Sequence, residues 1–112
     1  MIDWARVNEL CGEIGAEDFA EVVALFLQEA DEVVARLPDC AEAAAIEADL
    51  HFLKGAALNL GFQDLAQLCQ AGEKQAVAGG TDIDLAAVIA SYDASKYAFE
   101  AGLGTLGGIR VA

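Results

Sequence analysis

The sequence predicts an all-α protein, and three observations support this class. Alanine, leucine and glutamate are abundant while only one proline occurs in 112 residues, a composition that favours helices. Apolar residues recur at steps of three and four, and no segment alternates cleanly between apolar and polar residues. We expect residues 1–112 to form one domain, an antiparallel up-and-down four-helix bundle with a short additional N-terminal helix.

Capping and breaking residues bound the two N-terminal helices. Asp3 is suited to cap a short helix over Trp4–Ile14, and Gly15 then predicts a turn. The second helix, expected over residues 16–37, has apolar residues on one side and acidic residues on the other. Pro38 should end this helix because proline donates no backbone hydrogen bond.

Turn signals also separate the remaining three helices. The third is expected over residues 39–60, with the aspartate at its start as cap and Gly61 as its stop. The fourth is expected over residues 63–78, with an inward stripe of Leu65, Leu68, Cys69 and Ala76. After a Gly-Gly-Thr-Asp turn, the last helix should cover residues 82–101. The tail, residues 102–112, is too rich in glycine to continue as a stable helix.

Charge and composition restrict the partners and the cellular location. Nineteen acidic residues against six basic ones give a formal charge of −13, so we expect no binding to nucleic acid or to an anionic membrane surface. The N-terminus lacks the apolar stretch of a secretory signal, and no apolar run is long enough to span a bilayer. These features favour a cytoplasmic protein whose acidity serves mainly solubility.

The three cysteines favour reduced thiols over a disulfide framework. Their number is odd, and in a cytoplasmic chain we interpret Cys11, Cys40 and Cys69 as small hydrophobic core residues. No CxxC pair occurs, and the chain has a single histidine, so no metal site is expected.

That single histidine, His51, has an unusual place on the predicted third helix. On a helical wheel it lies almost opposite the apolar stripe, so we expect its imidazole to point towards solvent. The stripe consists of Ile46, Leu50, Leu53, Ala57 and Leu60. The outer face around the histidine combines one cation and one carboxylate with small residues and apolar side chains: Ala44, Glu47, Ala48, Lys54, Gly55, Leu58 and Phe62.

Gly55 and Lys54 lie one turn from His51. A glycine inside a helix costs about 0.5–1 kcal/mol relative to alanine, a cost that makes sense if another molecule must approach the imidazole closely. Lys54 could neutralise an anion held on the ring, and exposed Leu58 and Phe62 could contact a docking protein. The alternatives are a glycine for close helix packing, a lysine that is merely solvated, and a histidine without function.

Phosphoryl carriage is the chemistry that suits this face. A neutral imidazole is a good nucleophile near neutral pH. Phosphoryl transfer asks the protein mainly for positioning and charge compensation, which an exposed nitrogen, a nearby cation and a clear approach supply. A hydrolytic site would need a second base, an oxyanion hole or a metal, none of which the sequence assembles.

The segment HFLKGAALNLG, residues 51–61, resembles the HxLKG(S/A)(S/A)xxLG signature of histidine phosphotransfer (HPt) domains. The likeness extends beyond it: Ile14-Gly15 and a later Leu-Phe-Leu, residues 25–27, resemble the opening of the family's second helix. Leu65, Leu68 and Glu73 match typical positions of the helix after the motif. The resemblance covers about residues 3–100.

The resemblance implies a four-helix bundle whose exposed histidine relays phosphoryl groups. By that analogy His51 is the phosphoacceptor, through Nε2, while Lys54 stabilises the phosphoryl oxygens and Gly55 admits the partner. Glu73 matches a position that in some members accepts a hydrogen bond from the other ring nitrogen, and Gln70 lies one turn earlier on the same helix. Ala48, Leu58 and Phe62 are the expected docking residues.

The implied partners are the receiver domain of a hybrid sensor histidine kinase and that of a response regulator, each bearing the aspartate that exchanges the phosphoryl group. No kinase or ATP-binding motif is present, so we expect a stand-alone, monomeric carrier that is not an enzyme. No cofactor is expected, and any Mg²⁺ would lie on the receiver. Two rival functions are a bundle that docks a receiver without carrying phosphate and, with little residue support, a small hydrolase or metal-binding bundle.

Overall fold

The computed structural model describes residues 2–80 and 82–103, and this part of the chain is a helical bundle, as predicted. It contains five α-helices: α1 Trp4–Ile14, α2 Ala16–Arg36, α3 Ala43–Leu60, α4 Gln63–Val77 and α5 Leu85–Leu103. Most of the predicted glycine-rich tail lies outside the described residues. Within the described ranges, no helix is both long and apolar enough to cross a membrane.

The short helix α1 is attached to the end of the bundle at its first turn. Asp3 caps it as predicted, since its side chain accepts a hydrogen bond of 3.2 Å from the backbone N–H of Arg6. Trp4 stacks on Phe99 of α5, with ring centroids 6.0 Å apart. The backbone N–H of Asp3 also donates to the carbonyl of Gly61, so α1 is tied to the end of α3.

The connection between α2 and α3 differs from the prediction. Instead of capping a helix, Asp39 ends a 3₁₀ turn, Leu37–Asp39, and α3 begins only at Ala43. The reason is the burial of Leu37, which is 0% exposed and draws the chain into the core directly after α2. The turn is closed by a bond from the Cys40 N–H to the Leu37 carbonyl.

A buried aspartate, which the sequence analysis did not single out, joins α2 to α3. Asp49 is 7% exposed and accepts two hydrogen bonds from Arg36, at 2.7 and 3.2 Å, and one from the Cys40 thiol at 3.4 Å. The Arg36 bonds are the main cause that lowers the pKa of Asp49 below its ordinary value, against the opposing effect of burial. The contact fixes the position of α3 along α2.

We expect Asp49→Asn to destabilise the fold by about 1–3 kcal/mol at neutral pH, because Arg36 loses its charged partner. The folded-state pKa is lowered, so this stabilisation is present above the ordinary aspartate pKa and disappears as pH falls through the folded value. Urea unfolding of both proteins between about pH 2 and 7 measures the difference. Exposed Asp93, changed to Asn, is the matched control; a difference independent of pH would contradict the assignment.

The link between α3 and α4 requires glycine. Gly61 ends α3 in the left-handed conformation, with φ of +76°, and a Cβ there would lie 2.6 Å from the backbone oxygen of Asp3. Only Gly61 and Phe62 separate the two helices, which pack along their length and therefore run in opposite directions. This hairpin sets which residues of α4 lie beside which residues of α3.

The core contains the predicted apolar stripe of α3, whose members are at most 1% exposed. In α4, by contrast, the prediction that Leu68 points inward is wrong, since it is 37% exposed. The inward face is centred on Leu65, Cys69 and Ala76, and position 68 lies at its edge. Of the three free cysteines only Cys69 is fully buried, and burial raises the pKa of its thiol to about 12. Cys11 and Cys40 are half-buried.

Helix α5 is shifted towards the C-terminus relative to the prediction. It begins at Leu85, after Asp84 accepts a hydrogen bond of 3.0 Å from the backbone N–H of Ala87. It also includes Gly102, which the sequence analysis placed in the tail. The Trp4 ring lies where a side chain at position 102 would be, so glycine here permits close packing of α1 on α5.

Candidate functional site

His51 lies on the outer face of α3, opposite the buried stripe, as predicted. Its side chain is 70% exposed. Its Nδ1 atom is 2.7 Å from Oε2 of Glu73 on α4, a residue 22 positions further along the chain. Nε2 has no hydrogen-bond partner among the residues that the structure describes, so one ring nitrogen is held and the other faces solvent.

Glu73 also binds Lys54, and the three side chains form one polar cluster. The Lys54 ammonium donates a hydrogen bond of 2.6 Å to Oε1 of Glu73, while Oε2 faces His51. The bond from Lys54 is the main cause that lowers the pKa of Glu73, His51 adds to it, and partial burial opposes it. Glu73 is therefore an anion near neutral pH. Glu73 and Lys54 are only 16% and 26% exposed, so the cluster is held between the helices.

The cluster determines which nitrogen of a neutral His51 ring is the nucleophile. An ionised carboxylate can only accept hydrogen bonds, so Nδ1 carries the hydrogen in this pair. A neutral ring with hydrogen on Nδ1 has its lone pair on Nε2. The exposed nitrogen is thus the reactive one, and the carboxylate next to Nδ1 can stabilise positive charge that develops on the ring.

Gly55 lies one turn from His51, and the surface above it is open. A Cβ built at this position meets no heavy atom within 4 Å. The alternative that Gly55 permits close packing between helices of the bundle is therefore wrong. No neighbour within the described fold requires glycine here, so the absence of a side chain leaves space for a group outside the fold.

Two of the three predicted docking residues lie at this surface. Ala48 is exposed and, with Ala44, Glu47, His51 and Glu73, lines a shallow depression of about 450 Å³. Leu58 is 58% exposed, two turns from His51.

The prediction for Phe62 is wrong, since its side chain is 1% exposed. The reason is the left-handed turn at Gly61, which reverses the chain and directs Phe62 into the core instead of continuing the outer face of α3. There its ring packs edge-on against Phe99, with centroids 5.4 Å apart, and lies 6.5 Å from the ring of Tyr92.

Gln70 lies near the cluster without binding His51. It is exposed and lines a second depression together with Lys54 and Glu73. No hydrogen bond between Gln70 and the imidazole is present among the described residues. No direct contact therefore supports the prediction that Gln70 forms a hydrogen bond near His51. Its place beside Lys54 agrees with the prediction that Gln70 lies close to the site.

Sequence reasoning did not assign a role to the side chain that contacts Gly55. Asn59 donates a hydrogen bond of 3.0 Å to the Gly55 carbonyl and accepts one of 3.1 Å from Arg6 of α1. Arg6 and Asn59 are 53 residues apart, so no local pattern could have revealed the pair.

For metals, the described residues contain no group of three His, Cys, Asp or Glu side chains that could hold an ion.

Comparison with known proteins gives one match. The family model of the Hpt domain matches residues 21–101, which include α3, α4 and the whole His51–Lys54–Glu73 cluster. Neither the curated proteins nor the solved structures compared with this chain give a match. Since the matched segment covers more than half of the chain, and the fold is a helical bundle with an outward histidine, the chain belongs to the Hpt domain family.

Proposed function

We propose that His51 receives a phosphoryl group on Nε2 from the receiver aspartate of a hybrid sensor kinase and passes it to the receiver aspartate of a response regulator. Hpt domains are histidine phosphocarriers of two-component phosphorelays and interact with receiver domains. The assignment to His51 rests on one observation above all. Glu73 holds Nδ1 at 2.7 Å while the other nitrogen of the same ring faces solvent.

Phosphoryl transfer from the aspartate to His51 requires no external proton donor. The Nε2 lone pair attacks the phosphorus of the phosphoaspartate, the N–P bond forms, and the P–O bond to the aspartate breaks. The electron pair of that bond leaves on the aspartate carboxylate. The ring becomes positively charged and keeps its hydrogen on Nδ1, where the Glu73 carboxylate stabilises it. Transfer to the next receiver is the reverse sequence.

Lys54, which shares the Glu73 carboxylate with His51, supplies positive charge beside the phosphoryl group. Its ammonium has three donors, and one of them is bound to Glu73. The other donors are available for phosphoryl oxygens, which gain charge-assisted hydrogen bonds. We expect any Mg²⁺ on the partner receiver. The monomeric state and the particular partners stay predictions.

The direct test is to incubate the chain with a phosphorylated receiver domain and to follow acid-labile label. We expect label on the chain, and we expect peptide mapping to place it on His51. A second, unphosphorylated receiver should then remove it. Stable binding of receivers without any labelling would favour the rival function, a docking module that carries no phosphate.

We expect Glu73→Gln to slow phosphoryl transfer about tenfold or more, because a neutral amide stabilises the charged ring less well than a carboxylate. Transfer rates from a phosphorylated receiver, measured by rapid quench, test this. Nitrogen NMR of the imidazole should show hydrogen on Nδ1 in the wild type and a mixture of tautomers in the variant.

Asp64→Asn is the matched control for this change. Asp64 is an exposed carboxylate near the start of the same helix, so the control alters the charge of α4 equally but leaves the cluster intact. Equal transfer rates in wild type and Glu73→Gln would remove Glu73 from the mechanism.

A further inference from the structure

The geometry points to Asn59 as a positioning residue of the transfer site, a role that rests on the proposed function of His51. Asn59 lies on α3, two turns beyond His51 and one turn beyond Gly55. Its side chain folds back along the helix, and its Nδ2 donates a hydrogen bond of 3.0 Å to the Gly55 carbonyl. It thereby gives the Gly55 carbonyl a second donor and, through Arg6, links this turn of α3 to α1.

Its two partners fix the orientation of the Asn59 amide. The Arg6 guanidinium has only donors, so Oδ1 must face Arg6, and the bond measures 3.1 Å. The Gly55 carbonyl has only lone pairs, so the Nδ2 group must face Gly55. Aspartate would direct an oxygen at the carbonyl, and alanine would contact neither partner. Asparagine satisfies both groups at this position.

Arg6 is itself held in place and therefore acts as a fixed anchor. Its second terminal nitrogen, Nη1, donates to Glu9 at 2.6 Å and to Glu13 at 3.1 Å. Its backbone N–H is part of the cap of α1 by Asp3. The chain of bonds thus runs from the ordered start of α1, through Asn59, to the carbonyl of Gly55.

The open surface above Gly55 has a cost for the stability of helix α3. Glycine weakens a helix, and Gly55 lies one turn from the reactive imidazole, at the place where a docking receiver needs room. A larger side chain at 55 would strengthen the helix but occupy that space. The bond from Asn59 instead holds this turn to Arg6 of α1, and the space above Gly55 stays open. Asn59 acts through Gly55 to keep the surface beside His51 in its docking geometry.

The test uses Asn59→Asp, which keeps an acceptor for Arg6 and removes the donor to Gly55. We expect the backbone amide of residue 59, whose helical partner is the Gly55 carbonyl, to exchange with solvent about fivefold faster. We expect kcat/KM for transfer from a phosphorylated receiver to fall by about the same factor. Labelling of His51 by phosphoramidate, a small donor that loses ammonia and needs no docking, should be unchanged.

Two further variants make the result interpretable. Asn8→Asp places the same added charge on the exposed surface of α1, and it should change neither exchange nor transfer. Asn59→Ala removes both bonds while introducing the best helix former, so faster exchange in this variant cannot be attributed to helix propensity. If Asn59→Asp fails to fold, Asn59→Ala tests the loss of both bonds together, with the same expected changes in exchange and transfer.

The outcomes separate this inference from the proposed function. Unchanged exchange at residue 59 overturns the inference, and so does faster exchange with wild-type transfer. An equal loss of phosphoramidate labelling also overturns it, because Asn59 would then affect the chemistry or the whole fold. A wild-type chain that no receiver can label refutes the proposed function instead, and the exchange measurement alone still decides whether Asn59 supports the Gly55 turn.

Discussion

The His51→Gln variant is expected to take up no label from any phosphorylated receiver that labels the wild-type chain. Glutamine has a similar reach and its amide can still donate a hydrogen bond, but the amide is not a nucleophile towards phosphorus. The imidazole is 70% exposed, so the fold should lose at most about 0.5 kcal/mol. Measurement of acid-labile label tests the loss of phosphorylation, and the urea unfolding midpoint tests the small change in stability.

Receiver binding distinguishes loss of chemistry from loss of docking. We expect the variant to bind an unphosphorylated receiver with nearly wild-type affinity, because Ala48, Leu58 and the open surface at Gly55 are unchanged. Label that persists in His51→Gln would place the phosphoryl group on another residue and would refute the assignment. Absent label together with absent binding would show that the substitution damaged the surface itself.

For Gly55→Gln we expect two effects of opposite sign. The helix should gain about 0.5–1 kcal/mol of stability, because glycine is replaced by a good helix former. A Cβ at this position meets no heavy atom of the described residues within 4 Å, so the substitution begins in open space. Transfer from a phosphorylated receiver should nevertheless fall about a hundredfold, because a misplacement of the partner by about 1 Å is enough for such a loss.

Gly12→Gln is a close control for this experiment. Gly12 also lies within a helix, α1, is exposed, and has nothing within 4 Å of a built Cβ. We expect the same direction of change in stability as for Gly55→Gln, with wild-type transfer. Thermal unfolding and rapid-quench transfer rates for both variants make the comparison. Normal transfer by Gly55→Gln would show that the approach to His51 does not pass over position 55.

The helices and the outward position of His51 were predictable because they depend on local periodicity. A residue opposite an apolar stripe on a 3.6-residue helix must face away from the core, whichever helices cover that stripe. The cap at Asp3 and the stop at Gly61 follow from the chemistry of single residues. The free-energy cost of a glycine at position 55 of the helix was also predictable from the sequence. Only the structure showed that close packing between helices does not explain this glycine.

Errors occurred where burial elsewhere in the bundle decided the local course of the chain. Phe62 continues the outer face of α3 on a helical wheel, but the turn at Gly61 directs it inward. The cap expected at Asp39 is replaced by a 3₁₀ turn because Leu37 is drawn into the core. The packing of Trp4 similarly extends α5 through Gly102, against the helix preference of glycine.

The sequence by itself determined that this chain forms helices and that its one histidine leaves the core. Only the tertiary structure decided what holds that histidine: the hairpin aligns α3 with α4, so Glu73 meets both His51 and Lys54. The same holds for the bond from Arg6 to Asn59, which joins residues 53 positions apart. Periodicity reports which side of a helix is buried. The alignment of one helix along another comes from turns and packing between distant residues, and that alignment assembles the site.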